Sequence, residues 1–550
     1  MTTPHTPAVP VPATAPEPSR FPDLVPARLR ERWRSEGHYL GMGVYQLFRT
    51  VALAHPDRDA VVDDHGRVSY AALHREVLRV AGALMDLGVR PGEVVAVQLP
   101  NQAAAVATEL AVAAVGAVAL PFPVGRGASE VEALLRGGRA AVLVAATEHR
   151  GRSPVRTAET LRSRLPDLRW VVGVDTRGRF LSTTDGPARE SDLPAVDASG
   201  AARILVSSGS EALPKMVAYS HDALAGGRGN FMASLRRDAE PFRAHFLVPL
   251  GSAFGSNATS VVLARHGGTL LLNDHFEAER ALATIGEHRP THVLGVPTMI
   301  RMMLDLDRCP RPGDGAVLVL GGAPLEADTA RRAREAFGGS VVNLYGSADG
   351  VNCHTGLDGD PCDESGPGRP AGRPDSSVVS IRVVDAEGRD VATGATGEII
   401  ALGPMTPLCH VGEEGLDGRH RTAEGWVRTG DLGVLDHRGL LRVVGRLKDV
   451  VIRGGANISP VEVEAAVRAH PDVADACCFG IPDPLMGERL VAALVPRGGQ
   501  EPPDVDALAV HLKEGGLDAF KCPERVVRVE RLPLTAAGKV DRDALRALVD

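Results

Sequence analysis

Residues 203–215 read RILVSSGSEALPK. RILV has the make-up of a short buried strand, and the small residues after it make a turn. Serine and glycine leave backbone N–H groups open and let the chain come close to a phosphate, while Lys215 adds a point charge. Ser207, Ser208, Gly209 and Ser210 are thus candidates for wrapping an anion. Two features count against the simplest version. No Gly-Lys-Ser/Thr closes the loop, so it is not a Walker loop, and Glu211 places an anion in its middle. A Gly/Ser turn with a lysine is more often only a turn, so the surrounding sequence must decide.

From about residue 68 to 345, apolar runs alternate with helical patterns. VVAVQL (94–99), AVLVAA (141–146), HFLVPL (245–250), TLLLN (269–273), HVLGV (292–296) and AVLVLG (316–321) read as strands. YAALHREVLRVAGALMDLG (70–88) is apolar at three- and four-residue spacing and reads as a helix. This alternation predicts layered α/β units with parallel strands. After about residue 376, SVVSIRVVDAEGRDV and GEIIALG alternate with period two and predict a β-rich subdomain. The last hundred or so residues predict a small α+β domain. Its first helix opens at ISPVEVEAAVRAH (458–470), with Ser459 as N-cap, Pro460 in the first turn and Glu462 closing a capping box. Strands at 476–481 and 490–495 and a helix near 504–514 follow. The expected organisation is a disordered Pro/Ala/Thr-rich tail over 1–20, a large domain over 21–445 and a small mobile domain over 446–550.

Bulk composition excludes several classes. The 550 residues are too many for one core. Hydrophobic residues make up 44% and charged residues 24%, as in ordinary soluble enzymes. Sixty-one Lys+Arg against 69 Asp+Glu leave a net charge of −8, with no run that suggests nucleic acid or an anionic membrane surface. The longest apolar stretch, Leu110–Val124, is too short for a membrane span and is interrupted by Pro121 and Pro123. The amino end lacks a secretory pattern. The seven cysteines lack CxxC spacing, and Cys477 and Cys478 sit in an apolar run. A cytoplasmic protein without structural zinc is the expectation.

Four later stretches give the loop its context. VNLYGSADG (342–350) is a strand, a turn and an acid. VRTGDLG (427–433) presents Asp431. GRLKDVVIRGGANISPVEVE (445–464) carries Arg446, Lys448 and the pair Gly454 and Gly455. LPLTAAGKVDRDAL (532–545) sets Lys539 in a glycine turn. Each alone could be a surface turn with solvated charge. In this order, with 207–215, they resemble the adenylate-forming superfamily: acyl-CoA synthetases, adenylation domains of peptide synthetases and aryl acid–AMP ligases. The resemblance runs from about residue 21 to the end. It is nearest to the 2,3-dihydroxybenzoate–AMP ligase branch, through FPDLVPARLRERWRSEGHY (21–39) and FKCPERVVRVERLPLTAAGKVDR (520–542).

The resemblance implies ATP and Mg²⁺, and attack of a small-molecule carboxylate on the α-phosphate of ATP. Acyl transfer to CoA, or to phosphopantetheine on a separate carrier protein, would follow. It implies that 207–215 close over the β- and γ-phosphates, and that Gly321, Gly322 and Ala323 line the adenine site. Asn343, Tyr345, Gly346 and Ser347 would also border the nucleotide. Asp431 and Arg446 would meet the ribose, Lys539 would bridge carboxylate and α-phosphate, and Lys448 would lie at the hinge of the small domain. Gly454 and Gly455 match the family's glycines along the thiol tunnel.

Three departures stand out. Glu211 and Ala212 replace the family's threonine and glycine. Asp349 replaces the glutamate that helps hold Mg²⁺, which makes Glu211 a candidate second metal carboxylate; its alternative is a solvent-facing residue on an open lid. Ala253, in LGSAFGSN (250–257), stands where an aspartate pairs an α-amine or an asparagine meets a phenol. Neither an α-amino acid nor 2,3-dihydroxybenzoate is favoured. Gly251, Ser252 and Ala253 are small, Phe254 can stack on a ring, and Gly322 and Gly346 would border the acid. A larger aromatic or conjugated acid fits, with an amine as one option. The stretch PMTPLCHVGEEGL (404–416) lacks the family's Gly-Tyr. The expected function is a ligase for an aryl or related acid in bacterial secondary metabolism. Two alternatives are a ligase-like enzyme that forms a nitrogen–nitrogen bond from an aryl amine and nitrite, and a non-catalytic nucleotide-binding homologue.

Overall fold

The computed structural model describes residues 20–180, 188–207, 215–306, 315–363, 368–412, 415–453, 456–498, 500–534 and 540–549. Within them the alternation of apolar runs and helices folds into two large, mostly parallel sheets. One runs Cys409–Val411, Met216–Ser220, Ala201–Val206, Val118–Pro121, Val94–Gln98, Ala140–Ala146 and Trp170–Val174. The other runs Asn352–His354, Val341–Gly346, Val317–Gly321, His292–Gly295, Arg243–Phe246, Thr269–Leu272, Asp59–Asp63 and Gly66–Ser69. Antiparallel pairings occur only towards their edges.

Strands buried on both faces need apolar side chains at every position, which is why VVAVQ and AAVLVAA show no alternation. The helix Ala103–Ala114 is apolar nearly all round and buried along its length, in the core shared by the two sheets. Its one acid, Glu109, pairs with the buried Arg203 on strand Ala201–Val206. The expected β-rich unit is a five-stranded antiparallel sheet ordered Arg369–Gly372, Leu441–Arg446, Val427–Leu435, Gly397–Leu402 and Ser380–Val384.

From Val451 onward the chain builds its own sheet, with long strands Val473–Asp483 and Gly487–Pro496 paired antiparallel. Cys477 and Cys478 are buried in clusters on opposite faces of this sheet. The expected capping box at Ser459 does not form. The Ser459 hydroxyl donates to the carbonyl of Val444 at 2.6 Å, and Glu462 accepts from Lys521 at 2.7 Å. A nearby carbonyl on strand Leu441–Arg446 outcompetes the cap and ties the helix Pro460–Arg468 to that strand. Pro460 does occupy the first turn.

Candidate active site

A cavity of about 1310 Å³ opens where the carboxyl ends of parallel strands from both large sheets meet. Open α/β sheets place ligands there because helix starts and loops converge at those strand ends. Ser207, Lys215, Gly321, Gly322, Gly346, Ser347, Asp349, Asp431, Arg446 and Lys448 all border it. So do Ser252, Ala253 and Phe254. Thirteen residues chosen along 242 positions of sequence are therefore brought to one space.

Asp431 and Arg446 face each other across neighbouring antiparallel strands. Arg446 Nε lies 3.1 Å from Asp431 Oδ1, and the Tyr345 hydroxyl donates to Oδ2 at 2.8 Å. Burial and the Asp431 carboxylate hold the Tyr345 phenol well above its ordinary value, so it stays a donor. Asp431 is thus a buried carboxylate fixed from two sides. Asn343 is not brought to the cavity: its amide donates to the Pro370 carbonyl at 2.6 Å and braces the neighbouring strands. Ala323 lies just beyond the lining glycines and is not part of the wall.

Lys215 and Ser207 pair across the base of the small-residue loop, through Ser207 N–H to Lys215 O at 2.8 Å and Lys215 N–H to Ser207 Oγ at 3.0 Å. Ser208, Gly209, Ser210 and Glu211 lie outside the described residues, as do Lys539, Gly454 and Gly455. Lys215 Nζ stands 4.0 Å from Asp349 Oδ1. His410, to which the sequence reading gave no role, holds the same acid. Its Nε2 is 3.4 Å from Asp349 Oδ1, and its Nδ1 is 2.8 Å from Asp417 Oδ1. Burial alone would raise the Asp349 carboxyl, but the His410 contact and the Lys215 cation hold it below its ordinary value. Burial opposes charge on His410 too, yet carboxylates at both ring nitrogens raise it.

The wall over residues 250–257 is pinned from behind. Asn101 accepts from Leu250 N–H at 2.8 Å and donates to Val248 O at 3.0 Å. Arg203, paired with Glu109, donates to Leu250 O at 2.8 Å. The smallness of Gly251 has a packing cause: a Cβ there would meet the Phe122 backbone at 2.7 Å. Ser252 is not a free hydroxyl, since it donates to Pro249 O at 2.7 Å and accepts from Gly255 N–H at 2.9 Å. Ala253 and Phe254 remain as open wall. Val296, Met299, Leu344 and Val351 supply apolar surface. Arg228, a buried guanidinium in the same wall, belongs to none of the motifs that mark the site in the sequence. Its only advance signal was a lone cation within HDALAGGRGNF.

One buried carboxylate beside a lysine fits Mg²⁺ held jointly with substrate phosphates. No group of three His, Cys, Asp or Glu side chains forms a closed cage among the described residues, so such an ion would depend on the phosphates for most of its ligands.

Comparison with protein families matches residues 48–408 to the AMP-binding enzyme family and 462–539 to the AMP-binding enzyme C-terminal domain. The chain is 34% identical to Triostin synthetase I of Streptomyces triostinicus, over 95% of this chain and 97% of that protein. It is 30% identical to 2,3-dihydroxybenzoate-AMP ligase of Bacillus subtilis, again over 95% and 97%. ATP-bound MatB from Rhodopseudomonas palustris superposes with a TM-score of 0.80 at 26% identity, over 92% of this chain and 99% of that one. The chain therefore belongs to the AMP-binding enzyme family and is an adenylate-forming ligase.

Proposed function

We propose that this enzyme activates an aryl or related carboxylic acid as its acyl adenylate and passes the acyl group to a thiol. The observation that carries this reading is one continuous cavity. One end is built round Asp431, and the other is a largely apolar pocket walled by Ala253, Phe254 and Leu344. A carboxylate is a poor electrophile. Its attack on the α-phosphorus of ATP forms a P–O bond while the bond to the bridging oxygen breaks and pyrophosphate leaves. Two anions must be held together, which calls for fixed cations and exclusion of water.

The chain's residues take these tasks as follows. Asp431, fixed by Tyr345 and Arg446, accepts hydrogen bonds from the ribose hydroxyls. Lys215 offsets phosphate charge, and Asp349 is the described carboxylate for Mg²⁺, which when bound would neutralise phosphate oxygens. Lys539 would bridge the reacting carboxylate and the α-phosphate, and Lys448 would serve the turn of the small domain; both roles rest on the family pattern. In the second step a thiol attacks the acyl carbonyl, loses its proton, and AMP leaves. CoA or carrier phosphopantetheine would supply that thiol. Relatives named 2,3-dihydroxybenzoate-AMP ligase and Triostin synthetase I support the aryl class and a place in secondary metabolism.

The test is incubation with ATP, Mg²⁺ and a panel of aryl, aminoaryl and cinnamate-like acids, with and without nitrite, read by mass spectrometry. The expected product is an acyl adenylate that forms without nitrite. ATP turnover only with an aryl amine plus nitrite would replace this reading with nitrogen–nitrogen bond formation. Nucleotide binding without any turnover would replace it with a non-catalytic role.

A further inference from the structure

The acid end of the cavity contains a charge that no described residue balances. Arg228 is 5% exposed and lines the cavity. It follows the wide-turn helical segment Asp222–Gly227, whose Gly227 packs so closely on Pro404 that a Cβ would meet its backbone at 2.3 Å. The backbone under Arg228 is therefore firmly placed. One guanidinium nitrogen donates to Ser256 Oγ at 2.5 Å and another to Ala253 O at 3.0 Å. Its Nε has no hydrogen-bond partner among the described residues. The Tyr219 ring lies 5.8 Å away, under the cation. No carboxylate lies within ion-pair distance of Arg228 among the described residues.

The three other arginines buried among the described residues show the contrast. Arg30 pairs with Asp23 at 2.8 Å, Arg203 with Glu109, and Arg442 with Asp363 at 2.6 Å. A guanidinium taken out of water without a counter-ion is strongly destabilising, and a hydroxyl, a carbonyl and an aromatic face offset only part of that cost. Placed in a ligand pocket, such a group is complete only when a ligand supplies the anion. A guanidinium recognises the paired oxygens of a carboxylate, as it does those of a phosphate.

We propose that Arg228 is a specificity-determining residue for a second anionic group on the substrate, so that the preferred acids are aryl or conjugated acids with a second carboxylate. This rests on the proposed function for the site itself. The reacting carboxylate goes to the nucleotide end and the second one to Arg228, with the apolar wall between them. An amine-bearing acid, an option left open by the sequence, is disfavoured by like charge at this position.

The test compares matched acids that differ in one group. Benzoate, phenylacetate and cinnamate frameworks would each carry a carboxylate or a carboxamide at the ortho, meta or para position. Binding is measured by calorimetry on the full chain without ATP, and adenylate formation by mass spectrometry. In at least one matched pair the dianion should bind at least about tenfold more tightly than its amide. Arg228→Leu should abolish that ratio, and Arg228→Lys should retain part of it, while ATP-induced thermal stabilisation reports that each variant is folded. If the amides bind as well as the dianions throughout, or if Arg228→Leu weakens both equally, Arg228 is only a brace for the 252–257 turn and the proposal is overturned. Arg228-dependent binding of a dianion without adenylate formation would uphold the subsite and overturn the proposed activity instead.

Discussion

The two ends of the cavity handle charge in opposite ways. At the nucleotide end the carboxylates are already answered: Asp431 by Arg446 and Tyr345, Asp349 by Lys215 and His410. At the acid end the guanidinium of Arg228 meets, among the described residues, a hydroxyl, a carbonyl and a ring face and no carboxylate. The difference separates what is common to all reaction partners from what varies. A framework for a fixed ligand can be balanced in advance and held rigid. A pocket that selects among acids gains discrimination by leaving one interaction for the right ligand to complete.

The nucleotide end is where substitution should cost most. Asp431→Ala leaves Arg446 and the Tyr345 hydroxyl without their shared acceptor. Arg446 is partly exposed, so the main loss is the acceptor of the two ribose hydroxyls; hydrogen bonds to a charged group contribute about 1.5–3 kcal/mol each, so kcat/KM for ATP should fall about a hundredfold or more. An unchanged KM and kcat would remove Asp431 from the ribose site.

Next in size is His410→Gln, which removes the imidazole held between Asp349 and Asp417. Groups that orient a metal carboxylate typically control affinity by about tenfold to a hundredfold, so the Mg²⁺ concentration for half-maximal activity should rise by that factor. An equal loss of activity at all Mg²⁺ concentrations would point to a packing role for His410.

At the acid end, Phe254→Ala should lower the preference for aryl over aliphatic acids. An aromatic contact is worth about 0.5–1.5 kcal/mol, or roughly three- to tenfold in relative kcat/KM. The smallest expected change is a control. Asn343→Ala should leave KM for ATP where it is and lower stability by about 1 kcal/mol in urea unfolding, because its partner is the Pro370 carbonyl. A large rise in KM would return Asn343 to the nucleotide site.

Much of this architecture could be read in the sequence, and the reasons differ by element. The buried parallel strands are legible because burial on both faces leaves unbroken apolar runs such as AAVLVAA. Asp431 and Arg446 are legible as site candidates because each sits in a short motif that carries the family resemblance, while their pairing across neighbouring strands is seen in the structure. Arg228 and His410 were not legible. Arg228 enters the site because Gly227 packs against Pro404, 177 positions away, and His410 because strand Cys409–Val411 pairs with Met216–Ser220. No local pattern records either contact. Ser459 and Gly251 mislead for a related reason. A carbonyl on another strand takes the Ser459 hydroxyl, and the backbone of Phe122 takes the space that Gly251 leaves, so both residues answer to distant neighbours.

The proposed chemistry turns on attack of a substrate carboxylate on the α-phosphorus of ATP. Its most direct test is a single turnover with an accepted acid whose carboxylate carries heavy oxygen, with the released AMP analysed by mass spectrometry after transfer to a thiol. The expected AMP carries one heavy oxygen from the acid. Unlabelled AMP, formed as the acid is consumed, would show that activation proceeds elsewhere and would contradict it.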